Sequence, residues 1–137
     1  MPQLHLKIIT PKKIVHEDDV KSVTIPTVEG ELTVLPRHAN LFALLTEGII
    51  TYKKDQSEDF LAIGGGYMET DGKQLNILVS RAYGQNEIDV VLTEKAIKNA
   101  EKLLGETKEK SAREQARAAL RRSLIDMKLI KKRRRNV

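Results

Sequence analysis

The 137-residue chain contains no cysteine and no tryptophan, and only five Phe and Tyr residues. The missing thiols exclude a disulfide framework and cysteine chemistry. The longest apolar runs fall far short of the ~20 residues that a membrane-spanning helix needs. No secretory leader opens the chain, because Met1 to Lys7 alternates in the manner of a strand. The cytoplasm is therefore the expected location. Three scattered histidines, His5, His16 and His38, have no metal-ligand spacing. No Ser/His/Asp set and no carboxylate pair argues for catalysis. Gly64-Gly65-Gly66 is not a phosphate loop, since no Lys-Ser/Thr follows and no helix opens there. Those glycines are expected to let the backbone bend or let another chain come close.

What is present is a charged, globular composition: 40% hydrophobic and 31% charged residues. The net charge of +5 is uneven. Residues 111–137 hold ten Lys and Arg against two Asp and Glu, a net +8, and the first 110 residues are net −3. An electrostatic partner belongs with the tail.

Period-2 alternation starts at once, with Leu4, Leu6 and Ile8 on one side and His5, Lys7 and Ile9 on the other. Further strands are expected at Ile14-Val15, Val20–Ile25, Glu31–Leu35, Leu41–Leu45, Ile49–Lys53, Phe60–Ile63, Tyr67–Thr70 and Gln74–Val79. Glu17-Asp18-Asp19 reads as an acidic turn, 55–58 as a polar hairpin tip and Asp71-Gly72 as a tight hairpin turn. Short strands at this spacing predict an all-β sandwich or flattened barrel over residues 1–84.

The rest, residues 85–137, is expected to form two helices. Thr93 reads as an N-cap with a Leu92/Ile97 staple, although the helix could begin a turn earlier near Asp89. Ala96, Ile97, Ala100, Leu103 and Leu104 mark its apolar face, and Gly105 its stop. Ser111 to Glu114 fits a capping box opening a second helix. Its stripe is Ala116, Ala119, Leu120, Leu124, Met127 and Ile130. The short loop between them predicts an antiparallel hairpin. Two narrow, Ala-rich stripes bury little, so such a pair needs another surface to rest on.

Two segments carry a family resemblance. Pro26-Thr-Val-Glu-Gly-Glu-Leu-Thr-Val-Leu-Pro-Arg-His38 is close to the pattern Glu-Gly-x-x-Gly-Ile-Leu-Pro-x-His, and Gly65-Gly-Tyr-Met-Glu69 to Gly-Gly-Phe-x-Glu. Both resemble the epsilon subunit of bacterial and chloroplast F-type ATP synthases. Thr33 stands where many members carry Gly. The resemblance implies a non-catalytic rotor subunit whose β domain grips the gamma shaft and sits on the ring of c subunits. It places Glu29, Glu31, Arg37 and His38 in that contact region. It implies that the helical hairpin, once extended into the alpha/beta catalytic head, blocks ATP hydrolysis. Arg113, Arg117, Arg121, Arg122, Lys128 and Lys131, continued to Arg135, would then face acidic surface on the beta subunits. The implied location is the cytoplasmic face of the cell membrane, or the stromal face of the thylakoid. Some members bind ATP where the first helix opens with Ile/Leu-Asp-x-x-Arg-Ala. Here Ile88 and Asp89 match, but Leu92 and Thr93 replace the Arg and Ala, so no cofactor is expected.

A basic-tailed nucleic-acid-binding module is the alternative, with Lys131 to Arg135 on phosphates. No aromatic residue lies in that segment to stack on bases, and the apolar stripe beside the charges favours a protein groove. A small β-sandwich hydrolase has no residues to carry its chemistry.

Overall fold

The computed structural model describes the backbone of residues 2–135 and the side chains of residues 2–132. The chain divides into two units, Met1–Tyr83 and Gly84–Val137.

Ten strands build the first unit: β1 (Leu4–Ile9), β2 (Ile14–Val20), β3 (Ser22–Thr27), β4 (Gly30–Val34), β5 (Leu41–Leu45), β6 (Gly48–Lys53), β7 (Glu58–Ile63), β8 (Gly66–Thr70), β9 (Gln74–Val79) and β10 (Ala82–Tyr83). The order β10-β7-β6-β3-β5-β8-β9-β1-β2, with β4 on β3, is one continuous ladder folded on itself as a β-sandwich. Alternation dictates what goes inside. Leu4, Leu6 and Ile8 are fully buried, as are Val23 and Ile25, Leu75 and Ile77, and Met68. Burying one such side chain is worth about 1.5–3 kcal/mol, so this inner layer holds the unit together.

The glycine run makes the corner of the sandwich. Gly64 donates its N–H to the Arg81 carbonyl at 3.0 Å, and Ser80 donates to the Gly65 carbonyl at 3.0 Å. Strands β7 and β8 are thus one bent hairpin arm, and β9 and β10 the other. A Cβ on Gly66 would overlap the Leu78 carbonyl oxygen and stand 2.8 Å from the Val79 Cα. The segment that comes close at Gly66 is β9 of the same chain rather than another chain, and a Cβ on Gly65 would make only an ordinary contact, with the Leu45 carbonyl oxygen at 3.5 Å.

Several local expectations are corrected. Glu17-Asp18-Asp19 is no turn; it lies inside β2, where Glu17 opposes Lys7 and Asp19 opposes His5. Three adjacent acids tolerate a strand here because β1 supplies His5 and Lys7 on one face, and Asp18 on the other face pairs with Lys54. The short strand β10 and the 3-10 turn Gln85–Glu87 were not expected, being too brief to show a period. The β1–β9 pairing is parallel, a long-range feature that turn signals do not report.

In the second unit, α1 spans Val90–Glu106 and α2 spans Lys110–Arg135, packed as a hairpin. Asp89, not Thr93, is the N-cap; its carboxylate accepts the Leu92 N–H at 3.0 Å. Thr93 is buried one turn in and donates its hydroxyl to the Asp89 carbonyl at 2.8 Å. Leu92 is 62% exposed and forms no staple. Gly105 does not stop α1, because Thr107 is the C-cap and Arg113 Nη1 donates to the carbonyls of Leu104 (2.6 Å) and Thr107 (3.1 Å). That guanidinium satisfies terminal acceptors that a left-handed glycine turn would otherwise serve. Helix α2 begins at Lys110, one residue before Ser111. Among its described side chains Ala116, Ser123 and Leu129 are buried, whereas Ala119 and Leu124 are exposed. The inward stripe is therefore rotated toward a serine that hydropathy does not flag.

Candidate docking surface

The inner face of each strand makes the core, so the outer face of β5-β8-β9-β1-β2 ought to be polar if water covered it. Register shows otherwise. Leu44 lies opposite Tyr67, Tyr67 opposite Leu78, Leu78 opposite Ile9, and Ile9 opposite Ile14. Cα partners project to the same side of a sheet. An apolar row therefore crosses five strands. Phe42 extends it, stacked on Tyr67 with ring centroids 5.3 Å apart. Val28 borders it, its N–H bonded to the Leu44 carbonyl at 3.1 Å. Phe42 is 59% exposed, Leu44 55% and Tyr67 37%. Single exposed apolar residues are ordinary, but a contiguous group of this kind marks a contact surface. The adjacent row, Phe42–Glu69–Asn76–Lys7–Glu17, is mostly polar and gives the patch a rim. An open groove runs beside it, lined by Asn40, Phe42, Glu69, Asp71, Gln74 and Asn76.

The four contact candidates from the sequence flank this row without meeting. Glu29 and Glu31 are exposed on the β3–β4 hairpin, which is tied to β5 at Thr27↔Leu45. Gly30 makes that turn with φ of +118°. Arg37 and His38 lie just before the other end of β5. Spanning β5 takes about 13 Å at ~3.3 Å per residue, and Phe42 and Leu44 fill that interval. Arg37 adopts φ of +67°, unusual for a non-glycine residue, and donates its N–H to the Gly72 carbonyl at 2.8 Å. His38 Nδ1 is 2.8 Å from the Ala39 carbonyl oxygen and donates to it. The loop rests on the β8–β9 turn, where Gly72 has φ of +89° and a Cβ would stand 2.6 Å from the His38 carbonyl oxygen. Asp71 fixes that turn. Its Oδ1 accepts the N–H groups of Gln74 (2.8 Å) and Lys73 (2.9 Å), and these bonds hold its carboxyl below the usual range.

Sequence reasoning missed the apolar row, although one signal was available. Leu41-Phe-Ala-Leu-Leu45 does not alternate, and a strand apolar on both faces implies that both are covered.

The profile of the ATP synthase delta/epsilon chain β-sandwich domain matches residues 3–85. The chain belongs to that family. Its members are non-catalytic subunits of ATP synthase. It is 41% identical to the ATP synthase epsilon chain of Halalkalibacterium halodurans over 81% of this chain and 84% of that one. It is 36% identical to the epsilon chain of Moorella thermoacetica, over 93% and 96% of the two chains. Among solved structures, a chain of the Euglena gracilis mitochondrial ATP synthase OSCP/F1/c-ring assembly matches with a TM-score of 0.79 and 25% identity, covering 88% of this chain and 76% of that one.

The remaining candidates of this epsilon-family chain fall on the second unit. Asp89 is engaged as the α1 cap, and Ile88 before it is half-buried. Position 92, where the ATP-binding pattern has Arg, presents an uncharged Leu. Arg113 is half-buried in the hairpin bend. Arg117, Arg121, Arg122, Lys128 and Lys131 are exposed along α2. The side chains of Arg133, Arg134 and Arg135 lie outside the described residues. Among the described residues, no helix is long and apolar enough to cross a membrane, and no group of His, Asp or Glu is arranged to hold a metal ion.

Proposed function

We propose that this chain is the central-stalk subunit that couples gamma to the c-ring of a proton-translocating ATP synthase, and that its α2 helix restrains ATP hydrolysis by the alpha/beta head. The observation that carries the first half is the apolar row Leu44–Tyr67–Leu78–Ile9–Ile14 with Phe42 upon it. An outer sheet face of this kind supplies burial and shape, which dominate affinity, while rim charges such as Glu29 and Glu31 add only ~0–1 kcal/mol each. The chain then works as a peripheral component on the side of the membrane that bears the catalytic head. The restraint reading rests on the exposed cations Arg117, Arg121, Arg122, Lys128 and Lys131, whose charge suits carboxylates on a protein partner.

The docking test is direct. Phe42→Ala removes the most exposed ring of the patch, and its loss is expected to weaken binding to purified gamma by about 2 kcal/mol, or roughly 30-fold in Kd. The thermal midpoint should move little, because the ring is mostly outside the core. Binding within threefold of wild type would end this assignment of the face.

A further inference from the structure

We propose that His5 is a proton-dependent latch that holds the edge strand β2 against β1.

Strand β2 ends the sheet and pairs with β1 alone. An edge strand has half the hydrogen-bonding partners of an interior one, so its side-chain ties matter more. It also carries Glu17, Asp18 and Asp19 in succession. Asp18 points inward, toward Lys54 of the β6–β7 hairpin and 3.8 Å from His16 Nε2. Glu17 and Asp19 point outward, both toward one imidazole. His5 Nε2 lies 2.7 Å from Glu17 Oε2, and His5 Nδ1 lies 2.8 Å from Asp19 Oδ1.

That geometry selects a charge state. A neutral imidazole has one N–H, so its second nitrogen would turn a lone pair toward a carboxylate. Only the imidazolium donates to both. Lys7 shares Glu17 with His5, but among the described residues no cation other than His5 pairs with Asp19. Across from His5 on β9 stands uncharged Gln74, and the Lys73 carbonyl accepts the His5 backbone N–H at 2.9 Å. Lys7, the nearest cation on β1, opposes Glu17. The hydrogen bond to Asp19, then that to Glu17, raises the His5 pKa above 6.5 against a smaller opposing desolvation. Reciprocally, the bond to His5 lowers the Glu17 carboxyl below 4.5.

The signs follow. A histidine raised on folding contributes stability in full below 6.5, and loses it as pH rises through its folded value. A depressed glutamate contributes above 4.5, and loses it as pH falls through its folded value. The latch is closed between these limits. Above them, a neutral ring faces two carboxylates and β2 loosens.

The test uses the full chain labelled with 15N. Ring-nitrogen shifts should show His5 doubly protonated at about pH 6, titrating above 6.5. Protection of the bonded β2 amides, corrected for intrinsic exchange, should fall about fivefold between about pH 6 and pH 9, the upper end for an exposed ion pair. His5→Gln should abolish that change, and Glu17→Gln should lower the His5 pKa. The Glu17→Gln titration decides the matter even if His5→Gln folds poorly. A His5 pKa at or below 6.5, or β2 protection that does not depend on pH, would overturn the latch.

Discussion

Replacing Gly66 by alanine adds one methyl group, and the corner geometry sets the cost. The new Cβ would overlap the Leu78 carbonyl oxygen and lie 2.9 Å from its carbon and 2.8 Å from the Val79 Cα. All three atoms are backbone, so no rotamer change relieves the clash; β8 and β9 must separate where Gly66 pairs with Val79. Overpacking costs roughly 1–3 kcal/mol, and a rigid obstacle puts this variant near the upper figure. For a unit of this size, each kcal/mol moves the midpoint by about 4–8 °C, so a fall of roughly 10–20 °C is expected. Gly65→Ala is the internal control. Its Cβ would meet only the Leu45 carbonyl oxygen at 3.5 Å, an ordinary contact. Its stability should stay within about 1 kcal/mol of wild type. Differential scanning calorimetry of the full chain reads both, following the transition of the β unit. If Gly65→Ala proved as damaging as Gly66→Ala, or if Gly66→Ala left the midpoint unchanged, close backbone approach would not be the reason for glycine at position 66.

Removing residues 111–137 should leave association with gamma intact and raise the ATPase activity of the reconstituted head; unchanged activity would remove the restraint assigned to α2 while leaving the docking reading standing. Tyr52 is buried beside Asp59 and Asp18, and burial first, then these charges, pushes its phenol up to about 12. Absorbance at about 295 nm should therefore show a tyrosine that ionises only near that value and that disappears in Tyr52→Phe. Since the folded pKa exceeds the ordinary 10.0, the stability tied to the neutral phenol is present below pH 10.0 and is lost as pH climbs toward about 12.

Much of the architecture was legible because it is local. Leu4-His-Leu-Lys-Ile-Ile9 alternates, Asp71-Gly72 demands a tight turn, and α2 repeats its apolar residues by threes and fours. Such patterns need only the chain's own periodicity. Asp89 was visible as an early start to α1, but the choice between it and Thr93 turned on which group meets the Leu92 N–H. The expected contact residues Glu29, Glu31, Arg37 and His38 came from a family motif, and their separation across β5 came from the ladder.

By itself, the sequence determined the strand-rich first unit, the helical second one, the cationic tail and the absence of thiol chemistry, since each follows from residue type and near-neighbour spacing. Tertiary structure alone decided that three successive acids form a strand, that the apolar residues of five strands line up in one row, and that His5 faces two carboxylates. These depend on register between segments far apart in the chain, and a one-residue slip would send every side chain of a strand to the opposite face.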